Sequence, residues 1–125
     1  MLETIQTKNA PAAVGPYSQG MIAGDMIFTS GQLPIIPATG DLVRDDVKKA
    51  ARQSLENVKA ILEEAGSTME KVVKVNIFLA DINDFGAVNE VYSEYFSTHK
   101  PARSCVQVAH LPLDGLLEIE AIAVK

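Results

Sequence analysis

Arg103, Cys105, Glu118 and Glu120 are the residues whose types and spacing admit chemistry, because all four fall inside stretches that otherwise read as apolar strands. In ARSCVQV, Arg103, Cys105 and Gln107 alternate with Ala102, Ser104, Val106 and Val108, so the arginine and the thiol share one side of an extended segment. In LEIEAIAV, Glu118 and Glu120 alternate with Leu117, Ile119 and Ala121. A guanidinium near the start of a strand can grip a carboxylate through two parallel hydrogen bonds. A carboxylate in an apolar setting can exchange a proton or orient a water for attack. Each group also has an ordinary role: Arg103 as an ion-pair partner of Glu118 or Glu120, and either glutamate as a partner for a basic side chain on a neighbouring strand. Alternation alone does not choose between the two carboxylates.

Other candidates carry less. A nucleophilic Cys105 would need a base or a positive field beside it, and Arg103 alone is thin support, so a small buried apolar residue is the better reading. His99 and His110 stand apart from any Cys/His/Asp constellation, and two isolated histidines with one cysteine make no metal site. Ser30-Gly31 directly follows a strand-like run, where backbone N–H groups can meet an anion. A tight turn explains that glycine equally well, and without a GK[ST] tripeptide a phosphate loop is not expected. By themselves Tyr17, Phe85 and Asn89 read as a core tyrosine, helix core and a surface polar residue.

The elements that must position these residues follow from periodicity. Leu2 to Thr7 is a short strand, and Asn9 to Pro16 a loop. Tyr17 to Ile22 and Met26 to Ser30 form a hairpin around Ala23-Gly24-Asp25. After a long loop, a helix starts at Asp45 or Asp46 and carries the stripe Val47, Ala50, Ala51, Leu55, Val58, Ile61, Leu62 and Ala65, ending at Gly66. Ser67-Thr68-Met69-Glu70 has capping-box spacing and predicts a single turn. Val72 to Leu79 is a strand apolar on nearly both faces. A second helix after Asp84 buries Phe85, Val88, Tyr92, Tyr95 and Phe96. Whether the two final strands are direct neighbours stays open.

This order predicts an α+β fold, a single mixed sheet of about six strands with two helices on one face. The opposite face would be left bare and apolar, which calls for another subunit to cover it. The 125 residues, 47% hydrophobic and 22% charged, are those of an ordinary globular chain with one domain over 1–125. A net charge of −5 with scattered basic residues argues against nucleic acid as a partner. A single cysteine fits a reducing compartment. The first residues lack a signal pattern and no apolar run could span a bilayer, so a cytoplasmic location without membrane contact is expected.

PARSC at 101–105 and EIEAIAV at 118–124 resemble the signature of the RidA (YjgF-type) enamine/imine deaminase family. The resemblance extends through GPYSQG at 15–20, TSGQLP at 29–34, ARQSLENVKAIL at 51–62 and NDFGAVNEVY at 83–92, and so covers essentially the whole chain. It implies a chorismate-mutase-like fold, a homotrimer with sheets around a central axis, and small-molecule sites between neighbours. The implied activity is cofactor-free hydrolysis of 2-aminoacrylate and 2-aminocrotonate, or their imine tautomers, to 2-keto acids and ammonia. Arg103 would then hold the substrate carboxylate, and Glu118 rather than Glu120 would serve the reacting carbon. Ser30, Gly31, Asn89 and Cys105 would line the pocket, with Phe85 closing a wall and Tyr17 lent by an adjacent subunit. A non-catalytic 2-keto-acid sensor would use the same arginine but has little use for Glu118. Ribonuclease activity, also described in the family, fits the acidic balance and the absent histidine pair least.

Overall fold

The computed structural model describes residues 1–125. Six strands form one sheet: β1 (Leu2–Ile5), β2 (Gly20–Ala23), β3 (Met26–Thr29), β4 (Val72–Leu79), β5 (Ala102–Gln107) and β6 (Leu117–Val124). Their order is β1-β2-β3-β6-β4-β5, with β4 and β5 parallel and every other pair antiparallel. β4 therefore separates β5 from β6, and the two strands that carry the candidate chemistry are not neighbours. The hairpin between β2 and β3 closes at Gly24, whose φ of +62° suits a residue without a Cβ.

Helix α1 (Val47–Glu64) starts where Asp46 accepts the backbone N–H groups of Lys48 and Lys49, and stops before Gly66 at φ +83°. Its buried stripe includes Ala50, Ala51, Leu55, Val58, Ile61 and Leu62. Helix α2 (Phe85–Tyr95) follows a turn in which Asp81 accepts the Asn83 N–H. Both helices cover the sheet face carrying Val75 and Ile77 of β4 with Leu117, Ile119 and Ala121 of β6, and together these make one core. No helix is long and apolar enough to cross a membrane.

Several expectations need correction. β1 stops at Ile5 and β2 begins at Gly20, because Gln19 turns inward. Its side chain accepts the Thr7 N–H and donates to the Thr7, Ala10 and Pro11 carbonyls, closing 7–19 as a loop. The Ser67–Glu70 capping box does not form: Ser67 Oγ donates instead to the Val124 carbonyl at 2.6 Å, and Thr68 makes no side-chain cap. On α2 Phe85 is exposed and Tyr95 only half-buried, while Val91, not foreseen, is buried. The uncovered sheet face is not wholly apolar. Phe28, Phe78, Val106 and Ile122 alternate there with Lys74, Asn76, Glu118 and Glu120. Lys74 Nζ donates to Ser104 Oγ and Asn76 Nδ2 to Glu120 Oε2, each at 3.0 Å.

Candidate active site

The β4–β5 register pairs Val75 with Arg103 and Ile77 with Cys105, which places arginine and thiol on the helix-covered face. Arg103 Nη1 donates to Asn89 Oδ1 at 2.7 Å. Its guanidinium carbon lies 4.6 Å from the Tyr92 ring centroid and 5.4 Å from that of Phe85. The alternative role of Arg103, a structural ion pair with Glu118 or Glu120, does not form: the chain's ion pairs join Lys48 to Glu90 and Arg52 to Glu94, while His110 contacts Asp114. A half-buried guanidinium held by neutral partners keeps its charge available for an incoming anion.

Cys105 is half-buried and no base serves it. Burial pushes the thiol above its ordinary range and Arg103 opposes this only in part. His99 bonds the Val72 carbonyl and His110 pairs with Asp114, so neither histidine partners the thiol. The backbone of Cys105 is better placed than its sulfur. Val108 N–H donates to the Leu79 carbonyl. The two-residue period of a parallel ladder then turns the N–H and C=O groups of Arg103, Cys105 and Gln107 away from β4, along the sheet's free edge.

A second group assembles around Glu118. The β3–β6 ladder pairs Phe28 with Ile122, whereas the next bridge pairs Gln32 with Ile119, so residues 29–31 face only residues 120–121. This one-residue bulge lifts Ser30-Gly31 out of the ladder. Thr29 Oγ1 accepts the Ala121 N–H at 3.0 Å, replacing a lost backbone acceptor. Ser30 is fully engaged, its N–H with the Gln19 carbonyl and its Oγ with the Ser18 carbonyl. The Gly31 N–H has no acceptor within the chain. A Cβ on Gly31 would lie 2.6 Å from Glu118 Cδ, so only glycine admits the carboxylate here.

Glu118 lines a cleft of about 550 Å³ with Val14, Tyr17, Ser30, Gly31 and Leu113. Burial, and secondarily the charge of Glu120, raises the Glu118 carboxyl above the usual carboxylate range. Glu120 accepts a hydrogen bond from Asn76, and no side chain donates to Glu118. No cluster of three or more His, Cys, Asp or Glu side chains is placed to hold a metal ion.

The sequence-derived site residues thus fall into two sets. Phe85, Asn89, Arg103 and Cys105 gather on the helix side of the sheet near its β5 edge. Tyr17, Ser30, Gly31 and Glu118 gather at the β3–β6 cleft, with Glu118 paired to Phe78 on the uncovered face. One chain does not bring Arg103 and Glu118 together. Sequence reasoning assigned Tyr92 only to the core, although Phe85, Asn89 and Tyr92 follow the spacing that puts residues on one helix face. It also missed Gln19, which holds the loop behind Tyr17, and the left-handed Leu113 (φ 60°) at the cleft mouth, for which no local signal exists.

A six-stranded mixed sheet backed by two helices is the fold of a known family. The chain belongs to the Endoribonuclease L-PSP family, whose model matches residues 7–125, and this is the RidA (YjgF-type) family that its motifs resemble. It is 56% identical over 128 residues to the 2-iminobutanoate/2-iminopropanoate deaminase of Salmonella typhimurium, covering 100% of this chain and 99% of that one. A RutC family protein of Pyrococcus horikoshii is 55% identical over 125 residues, covering 100% and 99%. Among solved structures, Escherichia coli TdcF with bound serine superposes at a TM-score of 0.94 with 52% identity, covering 98% of each chain.

Proposed function

We propose that the protein is a cofactor-independent hydrolase that converts 2-iminopropanoate and 2-iminobutanoate, the tautomers of 2-aminoacrylate and 2-aminocrotonate, to 2-keto acids and ammonia. The observation that carries this reading is the fixed, unpaired Arg103 guanidinium, taken with a Glu118 carboxyl raised by burial in a cleft. Relatives named for this deaminase at 56% identity over full length support it. Because the two sets lie on opposite sides of the sheet, the working site forms between copies: Arg103, Asn89, Phe85 and Cys105 from one, Tyr17, Ser30, Gly31 and Glu118 from the next. A homotrimer with sheets around a central axis supplies such an arrangement, and the Phe28, Phe78, Val106 and Ile122 side chains on the uncovered face favour burial in it.

In this site Arg103 fixes the substrate carboxylate through two N–H groups. The free Gly31 N–H and the outward backbone of Cys105 hold its other edge, with Phe85 as a wall. Glu118, as carboxylate, accepts a proton from a water whose oxygen bonds to the imine carbon, while the C=N electrons move to nitrogen. Nitrogen of the resulting carbinolamine takes that proton back from Glu118, and the C–N bond breaks as an oxygen lone pair forms the carbonyl. The hydroxyl proton passes to the freed Glu118 carboxylate, leaving ammonia and a 2-keto acid. A protonated imine is already electrophilic, so proximity and orientation supply most of the acceleration. The family description names an endoribonuclease, but a net charge of −5 and two separated histidines suit RNA chemistry poorly. The single cysteine fits a reducing compartment, consistent with a cytoplasmic location.

The test is a coupled assay in which a dehydratase generates 2-aminoacrylate and keto-acid release is followed with and without the protein. Faster release is expected. Unchanged release with retained 2-oxobutanoate binding would replace the deaminase by a non-catalytic 2-keto-acid sensor.

A further inference from the structure

Tyr92 sits deep in the fold, 7% exposed, yet its ring is the closest aromatic surface to the Arg103 guanidinium, at 4.6 Å against 5.4 Å for Phe85. Phe96 holds that ring from another side, with centroids 4.7 Å apart at an interplanar angle of 40°. The Tyr92 hydroxyl is buried without a hydrogen-bond partner, so within the chain it stabilises nothing. What Tyr92 offers is its π face. An aromatic ring under a planar cation restrains the plane of that cation, and the Asn89 oxygen on Nη1 restrains its edge.

We propose that Tyr92 is a positioning residue for the oxyanion-binding arginine: its ring, acting through Arg103, sets the affinity for 2-keto and 2-imino carboxylates, and its hydroxyl is dispensable. This rests on the carboxylate-clamp reading of Arg103. An arginine side chain ordered before the ligand arrives loses little freedom on binding, whereas a mobile one must be ordered at that moment. The helical spacing supports the assignment, since Phe85, Asn89 and Tyr92 all meet one guanidinium from one side of α2.

The experiment measures 2-oxobutanoate affinity of the intact oligomer by calorimetry, with thermal unfolding alongside. Position 92 carries tyrosine, phenylalanine, phenylalanines with successively more ring fluorines, and leucine; Tyr92→Met replaces leucine if that variant does not fold. Fluorines drain the π face without changing the shape much, so a purely structural role would leave affinity flat. The proposal expects Tyr92→Phe to bind within about twofold of the parent, Kd to climb along the fluorine series at a constant unfolding midpoint, and Tyr92→Leu to lose roughly two- to tenfold. A flat series beside an Arg103→Ala protein that no longer binds would overturn the positioning role and leave the clamp intact. Tyr92→Phe losing as much as Tyr92→Leu would overturn the ring assignment in favour of the hydroxyl. If Arg103→Ala binds the keto acid as well as the parent, the clamp itself fails and the inference falls with it.

Discussion

Arg103→Lys separates an oriented clamp from a mere positive charge. Lysine keeps the charge and most of the stem, and its ammonium can still reach Asn89, which now accepts from Arg103 at 2.7 Å. It cannot present the planar fork, nor stack as a flat cation over Tyr92. A structural ion pair would predict a cost of about 0–1 kcal/mol, but Arg103 makes no ion pair to lose. As a clamp, losing one of two charge-assisted hydrogen bonds costs about 1.5–3 kcal/mol. At about 1.4 kcal/mol per decade, kcat/KM falls roughly ten- to a hundredfold. Misdirected water attack deepens the loss, because the same clamp aims the imine carbon. The assay is initial-rate keto-acid release from dehydratase-generated 2-aminoacrylate, on variants shown by sedimentation to keep the parent's oligomeric state. An intact oligomer of Arg103→Lys with parental kcat/KM refutes the clamp.

Cys105→Ser should retain most activity, since burial pushes the thiol above its ordinary range, away from the thiolate, and the outward backbone survives the change; a folded but dead variant would restore the thiol as nucleophile. Glu118→Gln should still bind 2-oxobutanoate while losing turnover, and the parent's activity should fall on acidification through a pKa above the usual carboxylate range, because the raised Glu118 must be ionised to take the water's proton. Glu120→Gln removes the lesser cause of that elevation and should move the acidic limb to lower pH with turnover kept; an unmoved limb would mean that another group titrates. Leu113→Gly should raise stability by about 1 kcal/mol, since Leu113 holds φ 60° and is 61% exposed. A lower unfolding midpoint would show that its side chain is buried in the assembly.

Local periodicity made much of the scaffold legible. The α1 stripe, the β4 run and the Gly24 turn each depend on neighbours within a few residues, and each forms as expected. Non-local choices were not legible. Alternation sorted side chains within β5 and within β6, but their mutual arrangement depends on β4 entering between them, and that places Arg103 and Glu118 on opposite faces. The bulge at 29–31 reads in sequence as an ordinary Ser-Gly turn, although it delivers Gly31 to Glu118. Ser67 misled because its hydroxyl found a distant carbonyl, Val124, rather than its own helix turn. Asn76 donates to Glu120 from another strand, a difference between the two glutamates that no spacing within 117–124 could show.

The central claim is that catalysis needs Arg103 from one copy and Glu118 from the next. Co-refolding equal amounts of Arg103→Ala and Glu118→Gln chains, each inactive alone, tests it directly. Random assembly gives each site an intact Arg103 and an intact Glu118 with independent chances of one half, so about a quarter of the parental activity should return in the mixed oligomer. Mixing the two proteins without unfolding them should return none until subunits exchange. A co-refolded mixture that stays inactive, although mass spectrometry shows mixed oligomers, would contradict the account and place both residues' function within a single chain.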